Sequence, residues 1–169
     1  DAAIEAGIDS FDTAETYGGG KSELFMGSGL KGKREKIFLA SKFGYSTSHV
    51  AGKNRGAPEN IRFAIEQSLS KLQTDWIDLY QLHRPDADTP VEETMGALED
   101  LVAEGKIRYY GCSYFSGAQM RQAAGAAQRA GLRGFVTAQN AWNMLEREIE
   151  ADLIPVCKAN EIGVLPYYP

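Results

Sequence analysis

Histidine and cysteine, which build most metal sites and disulfide scaffolds, are scarce in this chain of 169 residues, with two of each. Two cysteines are too few for a disulfide scaffold and favour a reducing, cytoplasmic compartment. A metal-dependent hydrolase needs several His or carboxylate ligands, and His49 stands in a polar loop that we interpret as surface. We therefore expect no bound metal, although Asp12, Asp78 and His83 leave that alternative open.

The chain also lacks a long apolar run, a signal-peptide pattern and a stripe of Lys and Arg. We therefore expect no membrane span and no secretory leader. With a net charge of −5, nucleic acid is not an expected partner either. A hydrophobic content of 43% is typical of a soluble globular protein, and we expect a single domain over residues 1–169.

Both ends of the sequence resemble cuts in a longer fold. The first residues are typical of the last turns of a helix that ends at Gly7, with no N-terminal cap before them. The last residue, Pro169, directly follows an apolar, strand-like run. We therefore expect a fragment.

Strand-like and helix-like segments alternate along the chain. Strands are expected at Ile8–Thr13, Lys36–Phe43, Trp76–His83, Ile107–Ser113, Gly134–Asn140 and Ile162–Tyr168. Helices are expected at Ser22–Leu30, Pro58–Leu72, Val91–Glu104, from Ser116 to near Gly131, and at Ile149–Asn160. Units that repeat at roughly 30 residues predict a parallel sheet covered by helices, either doubly wound or a (β/α)8 barrel.

Capping boxes are predicted at the starts of two helices. Thr89 is followed three residues later by Glu92, and Ser116 is followed in the same way by Gln119. In such a pair, the two side chains satisfy backbone amides that the first helical turn leaves without partners.

Polar residues close the apolar strand runs and favour the barrel. Six of them stand at or beside the strand ends: Asp12, Lys42, His83, Ser113, Gln139 and Tyr167. The carboxyl ends of barrel strands meet at one mouth, where barrel enzymes carry out their chemistry. The competing Rossmann interpretation is weak, because the glycines Gly18–Gly20 lack the G-x-G-x-x-G spacing.

Four side chains at this mouth suit the reduction of a carbonyl group. Tyr17 has a hydroxyl with an ordinary pKa of about 10, and a nearby Lys42 ammonium would ease release of its proton. Asp12 would hold Lys42 in place, and His83 would position or polarise the carbonyl oxygen. A cofactor has to supply the hydride, because no side chain can.

Three segments of this chain resemble the active-site segments of aldo-keto reductases. They are FDTAETYG from Phe11 to Gly18, LASKFG from Leu39 to Gly44, and LYQLHRPD from Leu79 to Asp86. They occur in the family's order, and the resemblance extends over essentially the whole chain. The GGGKSE turn and the long loop before Pro58 are most similar to the bacterial and potassium-channel-β-like branch.

The resemblance implies a role for each candidate residue. The family's catalytic tetrad, in which the tyrosine is the general acid, falls on Asp12, Tyr17, Lys42 and His83. Ser113 and Gln139 would hydrogen-bond the nicotinamide carboxamide of NADPH, and Tyr167 would stack on its ring. The implied substrates are small aldehydes and ketones. The alternative functions are an NADPH-binding regulatory or channel-associated subunit with little turnover, and an inactive truncated fragment.

Two departures from the family pattern affect the expected cofactor binding. Tyr114 stands in GCSYF where the family commonly has Asn, and a phenol cannot replace the paired donor and acceptor of an amide. A complete barrel needs about 250 residues, so this chain would supply about six βα units without the first and last strands. We therefore expect weak or absent NADPH binding by the isolated chain.

Overall fold

Six parallel strands form one sheet in the computed structural model, which describes residues 2–45 and 49–169. The strands are β1 (Ser10–Asp12), β2 (Phe38–Phe43), β3 (Ile77–Leu82), β4 (Ile107–Ser113), β5 (Thr137–Ala141) and β6 (Gly163–Tyr167). They lie in the order β1-β2-β3-β4-β5-β6, and each pairs in parallel with its neighbour. This order confirms the predicted succession of βα units.

The sheet curls into an incomplete barrel. Strands β1 and β5 are separated by three others, and neighbouring strands lie about 4.8 Å apart, so a flat sheet would keep them well apart. Yet Gln139 Nε2 on β5 lies 3.4 Å from Asp12 Oδ2 on β1. The curvature therefore brings side chains from distant strands together on the concave face, as the barrel prediction requires.

Helices connect the strands and cover the convex face. They are α1 (Ala2–Glu5), α2 (Lys21–Gly29), α3 (Pro58–Leu72), α4 (Val91–Ala103), α5 (Gly117–Ala130) and α6 (Leu153–Ala159). Short 3₁₀ turns occur at Tyr17–Gly20, Arg34–Lys36 and Glu148–Glu150. The apolar side chains that α3 turns toward the sheet and its neighbouring helices are buried: Ile61, Ala64, Ile65, Leu69 and Leu72. Within the described residues, no helix has the length and apolarity needed to cross a bilayer.

One of the two predicted capping boxes is present. Ser116 Oγ accepts the Gln119 amide at 3.2 Å, and the Gln119 side chain accepts the Ser116 amide at 2.9 Å. The box of Thr89 and Glu92 is wrong, because α4 has no side-chain cap. The Thr89 hydroxyl donates instead to Asp86 Oδ2 at 2.8 Å. The Thr89 hydroxyl is therefore bound to the Asp86 carboxylate in the preceding loop and does not cap α4.

Candidate active site

Lys42 Nζ is the centre of the candidate site. It donates to Asp12 Oδ2 at 2.6 Å, to the Thr13 carbonyl at 2.9 Å and to the Tyr17 hydroxyl at 3.4 Å. An ammonium group has three donors, so all three are used. The Lys42 side chain is 2% exposed, whereas that of Asp12 is 40% exposed. The structure therefore brings together the carboxylate, the ammonium and the phenol that the sequence singled out.

Glu15 ties the turn that carries Tyr17 to the end of β2. Its backbone amide donates to the Lys42 carbonyl at 3.0 Å, and its Oε1 accepts the Gly44 amide at 2.6 Å. Its Oε2 lies 2.8 Å from His49 Nε2. Glu15 is buried, so this pairing also compensates a carboxylate that has lost its water. Sequence reasoning missed Glu15, and His49 is a partner of the site as well as a partly exposed residue.

The ionisable groups around Lys42 and Tyr17 shift in opposite senses. Burial lowers the pKa of Lys42, against the opposing effect of Asp12. Partial burial and, after it, the negative charge of Asp12 raise the pKa of Tyr17. The expected stabilisation of the phenolate by Lys42 is thus outweighed in the free protein, because burial and the nearby Asp12 carboxylate both disfavour a negative charge on Tyr17. The Tyr17 hydroxyl therefore holds its proton at neutral pH, as a proton donor must.

His83 directly follows β3 and is held neutral at pH 7. It is buried, and its ring contacts Tyr45 and Tyr17 edge-on, with centroids 4.8 Å and 5.8 Å away. Burial lowers its pKa to about 4, with further contributions from Lys42 and Arg84. Its Nδ1 is buried and has no hydrogen-bond partner among residues 2–45 and 49–169. A neutral imidazole of this kind can still bind a polar ligand atom.

A chain of amide side chains extends the site across the concave face. Gln139 Nε2 faces Asp12 Oδ2 at 3.4 Å, and Gln139 Oε1 accepts Gln81 Nε2 at 3.3 Å. Gln81 Oε1 in turn accepts the Thr137 hydroxyl at 3.3 Å. Ser113 Oγ donates to the Gln139 carbonyl at 2.7 Å. Sequence reasoning found Gln139 and Ser113 but missed Gln81, whose only signal is an amide inside an apolar strand.

These residues have the chemistry that a nicotinamide carboxamide requires. The oxygen of the Ser113 hydroxyl keeps lone pairs free after its proton is donated, and Gln139 keeps a second N–H. A carboxamide, which both donates and accepts, fits this set of groups.

Tyr167 ends β6 and lies beside Tyr114. The centroids of their rings are 5.1 Å apart, and the Arg84 guanidinium carbon lies 3.5 Å from the centroid of the Tyr114 ring. Tyr114 has a φ of 62°, in the left-handed region where Asn is far better tolerated than Tyr. The position that the family commonly gives to Asn thus keeps an Asn-like backbone but carries an aromatic ring.

Asp78, which left a metal site open in the sequence, is engaged elsewhere. Its carboxylate accepts Arg34 at 2.6 Å, Arg108 at 2.9 Å and the Leu39 amide at 2.9 Å. It lies at the start of β3, whereas His83 follows the end of that strand. Across residues 2–45 and 49–169, no three His, Cys, Asp or Glu side chains are grouped as metal ligands would be.

The curled parallel sheet of six strands, with polar side chains at its carboxyl edge, defines an incomplete (β/α)8 barrel. The family model of the aldo/keto reductase family matches residues 1–169. The chain therefore belongs to the aldo-keto reductase family, as its three motifs predicted.

Relatives of this family are similar along nearly the whole chain. A probable aldo-keto reductase 1 of Glycine max is 39% identical over 169 residues, which are 99% of this chain and 47% of that protein. The structure of an aldo/keto reductase from Klebsiella pneumoniae, in complex with NADP and acetate, is 36% identical with a TM-score of 0.84. It is matched over 98% of this chain and 54% of its own.

A second solved structure gives the same result. The holo form of an aldo-keto reductase from Bacillus halodurans is 35% identical with a TM-score of 0.82, over 96% of this chain and 53% of its own. This chain thus spans about half the length of the relatives it matches.

Proposed function

We propose that the protein containing this chain is an oxidoreductase that uses NADPH to reduce aldehydes and ketones to alcohols, with Tyr17 as the general acid. The observation that carries the proposal is the position of Lys42 Nζ, in contact with both Asp12 and the Tyr17 hydroxyl. The similar K. pneumoniae reductase in complex with NADP supports the choice of cofactor.

The residues that would hold the nicotinamide lie beside this centre. Ser113 and Gln139 offer the acceptor and donor for its carboxamide, and Tyr167 offers a ring for stacking. When bound there, the cofactor would supply the hydride that the carbonyl carbon accepts. Gln139 Nε2 also lies 3.4 Å from Asp12 Oδ2, so a carboxamide held by Gln139 would lie next to the proton-donating groups.

Tyr17 supplies the proton that completes the reduction. Its hydroxyl donates a hydrogen bond to the carbonyl oxygen and transfers the proton as negative charge develops there. The adjacent Lys42 ammonium stabilises the phenolate that remains, and Asp12 keeps that ammonium protonated and in place. Neutral His83, whose ring lies 5.8 Å from that of Tyr17, orients the carbonyl from the other side.

Replacing Tyr17 by Phe tests this assignment. We expect turnover to fall by about 10²- to 10⁴-fold, the usual contribution of a general acid, with nearly unchanged affinity for NADPH. Steady-state oxidation of NADPH with a panel of aldehydes measures turnover, and fluorescence titration measures the affinity for NADPH. Tyr109→Phe is the matched control, because Tyr109 is similarly exposed but contacts none of these groups in the described structure. Unchanged turnover in Tyr17→Phe would contradict the mechanism.

A further inference from the structure

Arg84 lies close to two aromatic rings at the mouth of the incomplete barrel. Its guanidinium carbon is 3.5 Å from the centroid of the Tyr114 ring and 5.1 Å from that of Tyr45. Tyr45, Arg84 and Tyr114 each follow the carboxyl end of a strand, and the strands are the neighbours β2, β3 and β4. The Arg84 guanidinium therefore lies at the mouth of the barrel, and Arg84 directly follows His83 in the sequence.

Arg84 has no anionic partner in the part of the chain that the structure describes. It forms neither an ion pair nor a hydrogen bond with residues 2–45 or 49–169. The nearby carboxylates are already used: Asp86 accepts the Gly56 amide and the Thr89 hydroxyl, and Asp12 holds Lys42. A half-buried guanidinium thus has no counterion within residues 2–45 and 49–169, in a protein whose net charge is −5.

The stacking leaves the useful edge of the guanidinium available. Aromatic rings contact a guanidinium through its flat faces. Its N–H groups point outward in the plane, where two of them match the spacing of carboxylate or phosphate oxygens. The Tyr114 ring, 3.5 Å away, therefore orients Arg84 and limits its motion without using its hydrogen-bond donors.

We propose that Arg84 is a specificity-determining residue, and that the substrate is a carbonyl compound carrying a carboxylate or phosphate that Arg84 binds. This inference rests on the proposed function, which puts the carbonyl group between Tyr17 and His83. Arg84 and His83 both lie beside the Tyr45 ring, 5.1 Å and 4.8 Å from its centroid, so an anion bound by Arg84 is within reach of a ligand whose carbonyl group is at His83. The acidic group then adds binding that an uncharged aldehyde of the same size lacks.

The test compares a charged aldehyde with its neutral counterpart in the full protein. The wild type is expected to have a higher kcat/KM for 4-oxobutanoate than for its methyl ester, and for glyceraldehyde 3-phosphate than for glyceraldehyde. In Arg84→Met, the larger of these two ratios should fall by about 10- to 100-fold, the value of a charge-assisted hydrogen bond. Arg84→Lys should keep part of it, because the charge remains without the planar fork.

Two controls separate this role from others. Arg129→Met removes one positive charge from an exposed position in the last turn of α5 and should leave both ratios unchanged. The affinity for NADPH should be the same in Arg84→Met as in the wild type. Unchanged ratios of kcat/KM in Arg84→Met would overturn the proposal. A loss confined to the affinity for NADPH would also overturn it, because Arg84 would then bind a phosphate of the cofactor.

A binding measurement keeps this inference separate from the proposed function. Calorimetric titration with succinate, which carries the acidic group but no reducible carbonyl, needs no turnover. Binding by the wild type with at least tenfold weaker binding by Arg84→Met would support the anion site even if no aldehyde were reduced. Equal binding by a correctly folded Arg84→Met, checked by its melting temperature, would overturn the site while leaving the reductase proposal intact.

Discussion

The pair of Lys42 and Asp12 predicts an asymmetric response to mutation, because the two partners differ in exposure. Asp12→Asn leaves a lysine that is 2% exposed without its counterion, whereas Lys42→Met leaves a carboxylate that is 40% exposed. Removing one partner of a buried ion pair costs about 3 to 5 kcal/mol. We expect the lower end for Asp12→Asn, since Asp12 is partly screened by water and the Asn oxygen still accepts a hydrogen bond.

Lys42→Met should cost much less. The Asp12 carboxylate remains in contact with water, and a buried ammonium no longer has to be desolvated. The main loss is the donor to the Thr13 carbonyl, worth about 1 to 3 kcal/mol, which the removed desolvation partly offsets. We therefore expect a net cost of about 1 kcal/mol for Lys42→Met, together with a large loss of turnover.

The cost of Asp12→Asn should also depend on pH. Burial already lowers the pKa of Lys42, and without Asp12 the opposing effect is gone, so the pKa of Lys42 falls further. Between that lowered pKa and the ordinary value of 10.5, the unfolded chain binds a proton that the folded chain does not. Stability then rises with pH across this window, so the deficit is largest at neutral pH and shrinks under alkaline conditions.

Urea unfolding followed by tryptophan fluorescence measures these differences at about pH 7 and about pH 9.5. Asp100→Asn is the matched control, because its pair with Arg62 is exposed on both sides and should change stability by less than about 0.5 kcal/mol. The reasoning is refuted if Lys42→Met costs as much as Asp12→Asn, or if the deficit of Asp12→Asn grows with pH.

Two further predictions concern the amide chain and His83. Gln81→Met should raise the KM for NADPH by about tenfold with a smaller change in kcat, because Gln139 loses the donor that orients it. Tyr80→Phe is the control: this residue is on the opposite face of β3, and its replacement should leave both KM and kcat unchanged. An unaltered KM in Gln81→Met would contradict a positioning role for Gln81. The pKa of His83 is lowered from 6.5 to about 4, so between these values the unfolded chain binds the extra proton and stability rises with pH. At 1.36 kcal/mol per pKa unit, this effect adds about 3 kcal/mol to the free energy of unfolding of the wild type between about pH 4 and about pH 7. In His83→Gln, urea unfolding at these two pH values should show a rise smaller by about 3 kcal/mol. Equal rises in the variant and the wild type would contradict a lowered pKa of His83.

Local sequence was least informative about where elements begin. The strand predicted from Gly134 starts only at Thr137, because Gly134 has a φ of 78°, which a strand residue does not adopt. The first strand shrinks from the predicted Ile8–Thr13 to Ser10–Asp12. Boundaries depend on backbone angles and partners that a hydrophobic pattern does not contain.

Some predictions are not tested by these observations. The roles of the seven candidate residues, the single-domain organisation of residues 1–169 and the cytoplasmic location all stay predictions. Four of these residues nevertheless lie at the carboxyl ends of strands, as the sequence predicted. Asp12, Ser113 and Tyr167 each end a strand, and His83 directly follows one. Parallel strands put their carboxyl ends on one edge, so a sequence can locate such a set without knowing its distances.

The sequence by itself determined the family, the parallel succession of βα units and the identity of the central groups, because apolar periodicity and motif order are local properties. Only the tertiary structure decided which of these groups touch. The curl of the sheet joins Gln139 to Asp12 across 127 positions of sequence, and packing between loops brings Arg84 onto the rings of Tyr45 and Tyr114. Such contacts arise from strand curvature and burial, which no single segment encodes.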